Sequence, residues 1–303
     1  MLDTRVRTLV QGTSLMASQE DEQLKRRDLD ERDGTTSSAP AATTTVRIAI
    51  STAPAASPLP SPLDGISSNF SSTSSGANPC PAFLNSFLTN PTFTQCYPFS
   101  LLLQGSTSFF EAEKSLVSIT QVLDASCSAN VTFCSSYLRG VAKNLTDSSN
   151  CGTDFELGNP VVVQSYLAMV SYQTLYSASC LKDPGTAAYC FASAVTNITT
   201  PSNVYFYYLP LNISLPGSSI PACTWCLANT MGIFQSAASN RALPIANTYV
   251  SAAQQVNTIC GPNFVNSTLP NAVVASGGHP ALTLWPHWLI GVLPLLVGLQ
   301  WLL

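Results

Sequence analysis

Charge is what this chain lacks most. Of its 303 residues only 9% are Asp, Glu, Lys or Arg, against about a quarter in ordinary soluble domains. The shortage is sharpest between Cys80 and Ser276, where Lys114, Arg139, Lys143, Lys182 and Arg241 stand against Glu111, Glu113, Asp124, Asp147, Asp154, Glu156 and Asp183. So few cations cannot form a basic patch, which excludes nucleic acid as a partner. Such sparse charge also sits badly with solubility as a bare domain, a conflict that attached glycans resolve.

Histidine is nearly missing too: His279 and His287 are the only two, both near the carboxyl end, so the rest of the chain lacks the commonest general base. No Gly-x-Ser-x-Gly elbow is present. Cys223-Thr224-Trp225-Cys226 has neither a second CxxC nor a His pair to complete a zinc site, nor the preceding strand of a thioredoxin-like redox site, so its cysteines read as structural. Glycoside hydrolysis needs two carboxylates across a cleft. Glu111 reads as a helix-capping residue and Glu113 as part of the polar face of that helix, while Asp154 and Glu156 follow Cys151 in an expected surface loop. No catalytic residue, cofactor or metal site is expected, and the chain is read as not an enzyme. A carboxylate-dependent glycan-active enzyme is the weakest alternative.

The amino end lacks an apolar core of about 7–15 residues, as a signal peptide requires. Met1 to Asp33 carries Arg5, Arg7, Glu20, Asp21, Glu22, Lys25, Arg26 and Arg27 instead. This charged segment, 1–33, is expected to be a mis-assigned start or a propeptide.

The other end is rich in information. Ser276-Gly277-Gly278 is followed by a spacer and an apolar run from Leu289 to Leu303 with no Lys or Arg after it. Small residues, a spacer of about ten residues and a terminal apolar tail form a GPI-anchor signal. The run is shorter than the roughly 20 residues of a membrane span, and Pro280, Pro286 and Pro294 break a longer one. Attachment is expected at Ser276, so the tail of segment 266–303, with both histidines, is removed.

Ten cysteines occur, at 80, 96, 127, 134, 151, 180, 190, 223, 226 and 260. In an oxidising compartment they read as a framework of up to five disulfides whose connectivity spacing alone leaves open. N-glycosylation sequons stand at Asn69, Asn130, Asn144, Asn197, Asn212 and Asn266, consistent with secretion. Residues 34–79 are dominated by Ser, Thr, Pro and Ala, which predicts a disordered linker.

Residues 80–265 are expected to form one all-α, disulfide-stabilised helical bundle. Ser108 and Glu111 read as a capping box opening a helix with Phe109, Ala112, Leu116, Ile119 and Leu123 on one stripe. Val131, Cys134, Leu138, Val141 and Leu145 repeat that spacing, as do Cys223, Cys226, Thr230, Ile233 and Ala237, and Ala246, Tyr249, Ala253, Val256 and Cys260. Pro160 and Pro221 suit first helical positions, and a helix from about Pro160 to Ser177 is expected at the centre. Disulfides through Cys134, Cys223, Cys226 and Cys260 are expected inside the core. The exception is Val204 to Leu211, whose aromatic run Tyr205, Phe206, Tyr207 and Tyr208 predicts a short extended segment. It is also the best candidate binding surface; alternation along a strand would let at most two of the four face a ligand.

Cys80-Pro81-Ala82-Phe83-Leu84 through Cys96-Tyr97-Pro98-Phe99-Ser100-Leu101-Leu102, then Ser108-Phe109-Phe110, resembles the start of an extracellular domain in an uncharacterised fungal family. Cys223-Thr224-Trp225-Cys226 and the apolar tail are similar to that group too. The resemblance covers about Cys80 to Cys260 and implies a secreted, cysteine-rich, GPI-anchored protein of unknown activity, with no catalytic residues to carry over.

The function expected is that of a non-enzymatic, GPI-anchored cell-surface or cell-wall glycoprotein used in wall organisation, adhesion or shielding, on the outer face of the plasma membrane or in the wall. Its expected partners are the membrane, through the anchor lipid, and wall polysaccharide or an apolar ligand. The alternative is a helical disulfide-rich module that binds a lipid or other apolar ligand.

Overall fold

Most helices of this chain start on Asn, Ser or Thr. The computed structural model describes residues 59–65, 70 and 78–273. Asn-Pro opens α1 (Pro79–Leu88), α2 (Pro91–Cys96) and the later helix Pro160–Val170. In each, Asn Oδ1 accepts a first-turn backbone N–H, from Cys80 at 2.8 Å, Thr92 at 2.8 Å and Val161 at 3.1 Å. Pro takes the first helical position, where its missing N–H costs nothing. Ser106 and Ser115 open α3 (Thr107–Glu113) and α4 (Leu116–Cys127), and Asn130 opens α5 (Val131–Leu145). There follow α6 (Gly152–Glu156), α7 (Pro160–Val170), α8 (Tyr172–Ser179), α9 (Cys190–Thr196), α10 (Trp225–Ala237) and α11 (Ile245–Cys260). A 3-10 turn lies at Phe99–Leu101 and a long 3-10 helix at Pro201–Leu211. Among the described residues there is no strand, only an isolated antiparallel bridge of Lys182 with Tyr189. The fold is the expected all-α bundle.

α7 occupies the centre, with α5, α6, α8, the 3-10 turn and the 3-10 helix packed around it. Cys134, Leu138, Val141 and Leu145 of α5 are buried at the predicted spacing, as are Tyr249, Ala253 and Val256 of α11. Phe191 of α9 is the aromatic hub. Its ring lies 4.7 Å from Phe99, 4.8 Å from Tyr207 and 6.2 Å from Phe109, pairs worth about 0.5–1.5 kcal/mol each beyond their buried area.

All ten cysteines are paired: Cys80–Cys151, Cys96–Cys134, Cys127–Cys180, Cys190–Cys226 and Cys223–Cys260. The map falls into two sets. Three bridges lie wholly within Cys80 to Cys180 and two wholly within Cys190 to Cys260, and none joins the sets. The CxxC cysteines each bridge to another element. Cys223 is exposed and Cys226 and Cys260 are half-buried, so of the four expected in the core only Cys134 is there. α10 is rotated relative to the predicted stripe: of that stripe it buries Thr230, and with it Leu227, Met231 and Phe234.

Other boundaries differ for local reasons. The cap of α3 is Ser106, whose Oγ accepts from Phe109 N at 3.1 Å. Ser108 instead binds Asp64, whose carboxylate also accepts from Thr107 N at 2.6 Å and Ser108 N at 3.2 Å. A carboxylate from outside the helix thus does the work assigned to Glu111, and it sits favourably against the helix dipole. The approach is close at Gly65, where a Cβ would meet Thr107 Oγ1 at 2.2 Å. Residues 59–65 therefore pack on the domain, although their composition matches the linker. The predicted first long helix divides into α3 and α4 at Lys114 and Ser115, because Ser115 Oγ caps the second at Ser118 N. The predicted helix from Pro160 divides at Ser171, whose hydroxyl donates to the Pro210 carbonyl. Pro221 does not start a helix; Thr224 caps α10.

Candidate functional site: an apolar groove with an unpartnered carboxyl

The aromatic run is not extended. Residues Pro201–Leu211 form a 3-10 helix, with three residues per turn, so side chains at i and i+3 eclipse. Tyr205 and Tyr208 share the outer face, while Phe206 and Tyr207 are buried beneath. Two of the four aromatics do face outward, through helical rather than strand periodicity. The β-propensity of Val-Tyr-Phe-Tyr-Tyr is overridden by Pro201 at the helix start and by the packing of α9 and α11 on this segment.

Tyr205 and Tyr208 line a groove of about 810 Å³. Phe110 and Glu113, at the end of α3, form one wall. Val195 and Ile198, at and beyond the end of α9, form a second, and Ile213 and Pro216 close the far side. Ile198 is 92% exposed and Phe110 60%, and Tyr205 and Ile213 are also exposed. Large exposed apolar side chains converging on one concavity mark a site of interaction. Ile198 and Ile213 are the middle residues of the sequons at Asn197 and Asn212.

Glu113 is the anomaly. It does not lie on a solvated polar face: it is half-buried, and its Oε1 is buried with no hydrogen-bond partner among the described residues. Burial pushes its carboxyl from an ordinary 4.5 up to about 7, since desolvation penalises the charged form. Burial also pushes the Tyr208 phenol up to about 12, with further contributions from Glu113 and Tyr205. Neighbouring Lys114 is engaged elsewhere, donating to Glu111 Oε1 at 2.7 Å with its Nζ 4.8 Å over the Phe110 ring.

Because its folded pKa is raised, Glu113 binds a proton more readily in the folded than in the unfolded chain. Its contribution to stability is therefore complete below pH 4.5 and is lost as pH rises through about 7. Glu113→Gln is expected to melt with the parent near pH 4 and to exceed it by about 1–3 kcal/mol at pH 8, after discounting for solvent screening of a half-buried group. Calorimetry at both pH values checks this; an equal difference at the two would count against it.

The other candidates lie apart from the groove. Asp154 is buried in α6, not in a surface loop, and accepts from Asn78 Nδ2 at 3.2 Å; Glu156 is exposed. The two acids of each pair do not converge on one cleft. Asn130, Asn144, Asn212 and Asn266 are exposed and Asn197 is half-buried. In the sequons at Asn197 and Asn266 the Asn Oδ1 accepts from the hydroxyls of Thr199 and Thr268 at 2.6 and 2.8 Å. Asn69, Ser276, His279 and His287 lie outside the described residues. A second groove, of about 720 Å³, carries Arg139 as its charged residue and a mixed wall including Gln173, Ser177 and Asn240.

Sequence reasoning missed Glu113, although a signal was present. It stands four residues after Phe109, on the same face of α3 as that buried ring, in a domain with few other acids.

Five disulfides fit an extracellular protein. No helix among the described residues is long and apolar enough to cross a membrane. Comparison with curated proteins and with solved structures finds no match. Residues 58–269 match one family over most of the chain, taking in the groove, all five disulfides and the Asp64 segment, and the chain belongs to that family, described as Domain of unknown function (DUF7729).

Proposed function

We propose that this protein is a non-enzymatic binding module, displayed outside the cell on a GPI anchor, that holds an apolar ligand in the groove between α3 and the 3-10 helix. The carrying observation is the cluster of exposed apolar side chains (Phe110, Ile198, Tyr205 and Ile213) around a concavity of about 810 Å³. Leaving such side chains in water costs free energy, about 25 cal/mol per Å² of apolar surface, which a ligand recovers. Glycans on Asn197 and Asn212 would stand at the mouth of the groove and keep two copies from pairing through it. They would also supply the solubility that the scarce surface charge does not. The reading joins the surface address drawn from the tail at Ser276 to the apolar-ligand alternative.

One experiment tests both parts. Protein released from intact cells by a GPI-specific phospholipase C is extracted with organic solvent and its lipids are weighed against those from an Ile198→Asp variant. The parent is expected to be released, to end near Ser276 and to carry lipid that the variant lacks. Recovery of protein ending at Leu303 would overturn the anchor. Release without lipid, or equal lipid in the variant, would overturn the groove.

A further inference from the structure

We infer that the ligand of this groove is an apolar molecule bearing a single hydroxyl, a sterol or a long-chain alcohol, whose hydroxyl sits at Glu113 between Tyr205 and Tyr208. This rests on the binding reading above and adds to it the polar chemistry of the ligand. The groove is apolar on three sides, yet it holds one buried carboxyl oxygen, Glu113 Oε1, with no hydrogen-bond partner among the described residues, and Tyr205 and Tyr208 line the same groove. A buried polar group without a partner is costly, and the Glu113 carboxyl with the phenols beside it describes what is missing. The carboxyl accepts a hydrogen bond, and a phenol donates one. A hydroxyl does both at once, donating to Glu113 and accepting from a tyrosine.

Other head groups fit less well. A fatty acid would bury its carboxylate with no free cation to offset the charge, because Lys114 is already held by Glu111 and the Phe110 ring. A phosphate head meets the same obstacle. A plain hydrocarbon would bury the carboxyl and phenols with nothing to bind them. The walls suit an apolar body: Val195, Val204, Ile213 and Pro216 line the same groove.

The test compares alcohols with their methyl ethers, which keep the shape and lose the donor. The full chain, made with its disulfides intact, is titrated at pH 6 with cholesterol and its 3-methyl ether, and with hexadecan-1-ol and 1-methoxyhexadecane. In at least one pair the alcohol is expected to bind about tenfold more tightly, the factor typical of one buried hydrogen bond. The pair that shows the preference tells a sterol from a linear alcohol. Glu113→Leu is expected to abolish the preference while still binding the ether. Equal binding of alcohol and ether by the parent overturns this inference and leaves the groove reading standing. Failure of all four probes to bind overturns the groove reading, and this inference with it. The alcohol-to-ether ratio of the parent needs no variant, so it decides even where Glu113→Leu does not fold.

Discussion

Replacing Cys80 and Cys151 together by Ser is expected to lower the unfolding free energy by about 4 kcal/mol. The bridge spans 71 residues and ties the first turn of α1 to the residue before α6. Opening it frees a long loop in the unfolded chain, and the chain-entropy relation puts that gain between those for short and for hundred-residue loops. Both sulfurs are fully buried, so the new hydroxyls must also find partners inside the core. For a domain whose whole stability is about 5–15 kcal/mol, this is a large part of it. Denaturant titration of the double variant checks the number, and a loss under about 1 kcal/mol would refute the argument. The five bridges are not equally accessible. Cys223 is exposed whereas Cys80, Cys96, Cys134, Cys151 and Cys190 are buried. Mild reduction followed by alkylation is therefore expected to label Cys223 and Cys260 before any of those five.

Phe191→Ala is expected to cost about 3–5 kcal/mol, as for other large aromatics removed from a core. The reason is its position more than its size. Phe191 follows the first cysteine of the carboxyl-terminal disulfide set, while Phe99 and Phe109, which it touches, lie in the span of the amino-terminal set. No disulfide crosses between the sets, so packing of this kind holds them together. Phe133, 55% exposed on α5, is the control, and Phe133→Ala should shift stability by under about 0.5 kcal/mol. A double-mutant cycle of Phe99 and Phe191 should return a coupling of about 0.5–1.5 kcal/mol. Comparable losses for Phe133→Ala and Phe191→Ala would remove Phe191 from this role.

The helices were legible in the sequence where apolar periodicity and a capping residue agreed. α5 and α11 bury most of their predicted stripes, leaving Val131, Ala246 and Cys260 half-buried, and Asn159 with Pro160 opens α7 as expected. Reading failed where a partner distant in the chain decides. Ser108 and Glu111 have capping-box spacing, but Asp64 comes from outside the helix and takes Ser108. Val204 to Leu211 has strand-like composition, but no strand among the described residues pairs with it, and it buries Phe206 and Tyr207 as a 3-10 helix. Glu113 looked solvated because nothing near it in sequence covers it. Val204 and Tyr208, which line the groove with it, come from the 3-10 helix much later in the chain. The groove is a tertiary product of two segments, each of which alone looks ordinary.

The separation of the disulfides into two sets has a consequence for biosynthesis. A chain made amino end first has every cysteine of the first set available once Cys180 emerges, before Cys190 is needed. The amino-terminal half can therefore complete its oxidation while the second half is still being synthesised, with no thiol waiting on a distant partner. The second set, Cys190–Cys226 and Cys223–Cys260, then closes within its own span. Pairing within each set leaves fewer mispaired isomers open than ten cysteines oxidised together, and the packing of Phe99 and Phe109 on Phe191 forms only once both halves are present. The groove, whose α3 wall comes from the first half and whose 3-10 helix comes from the second, exists only once both halves are made, so the ligand proposed for it has no place on a half-made chain.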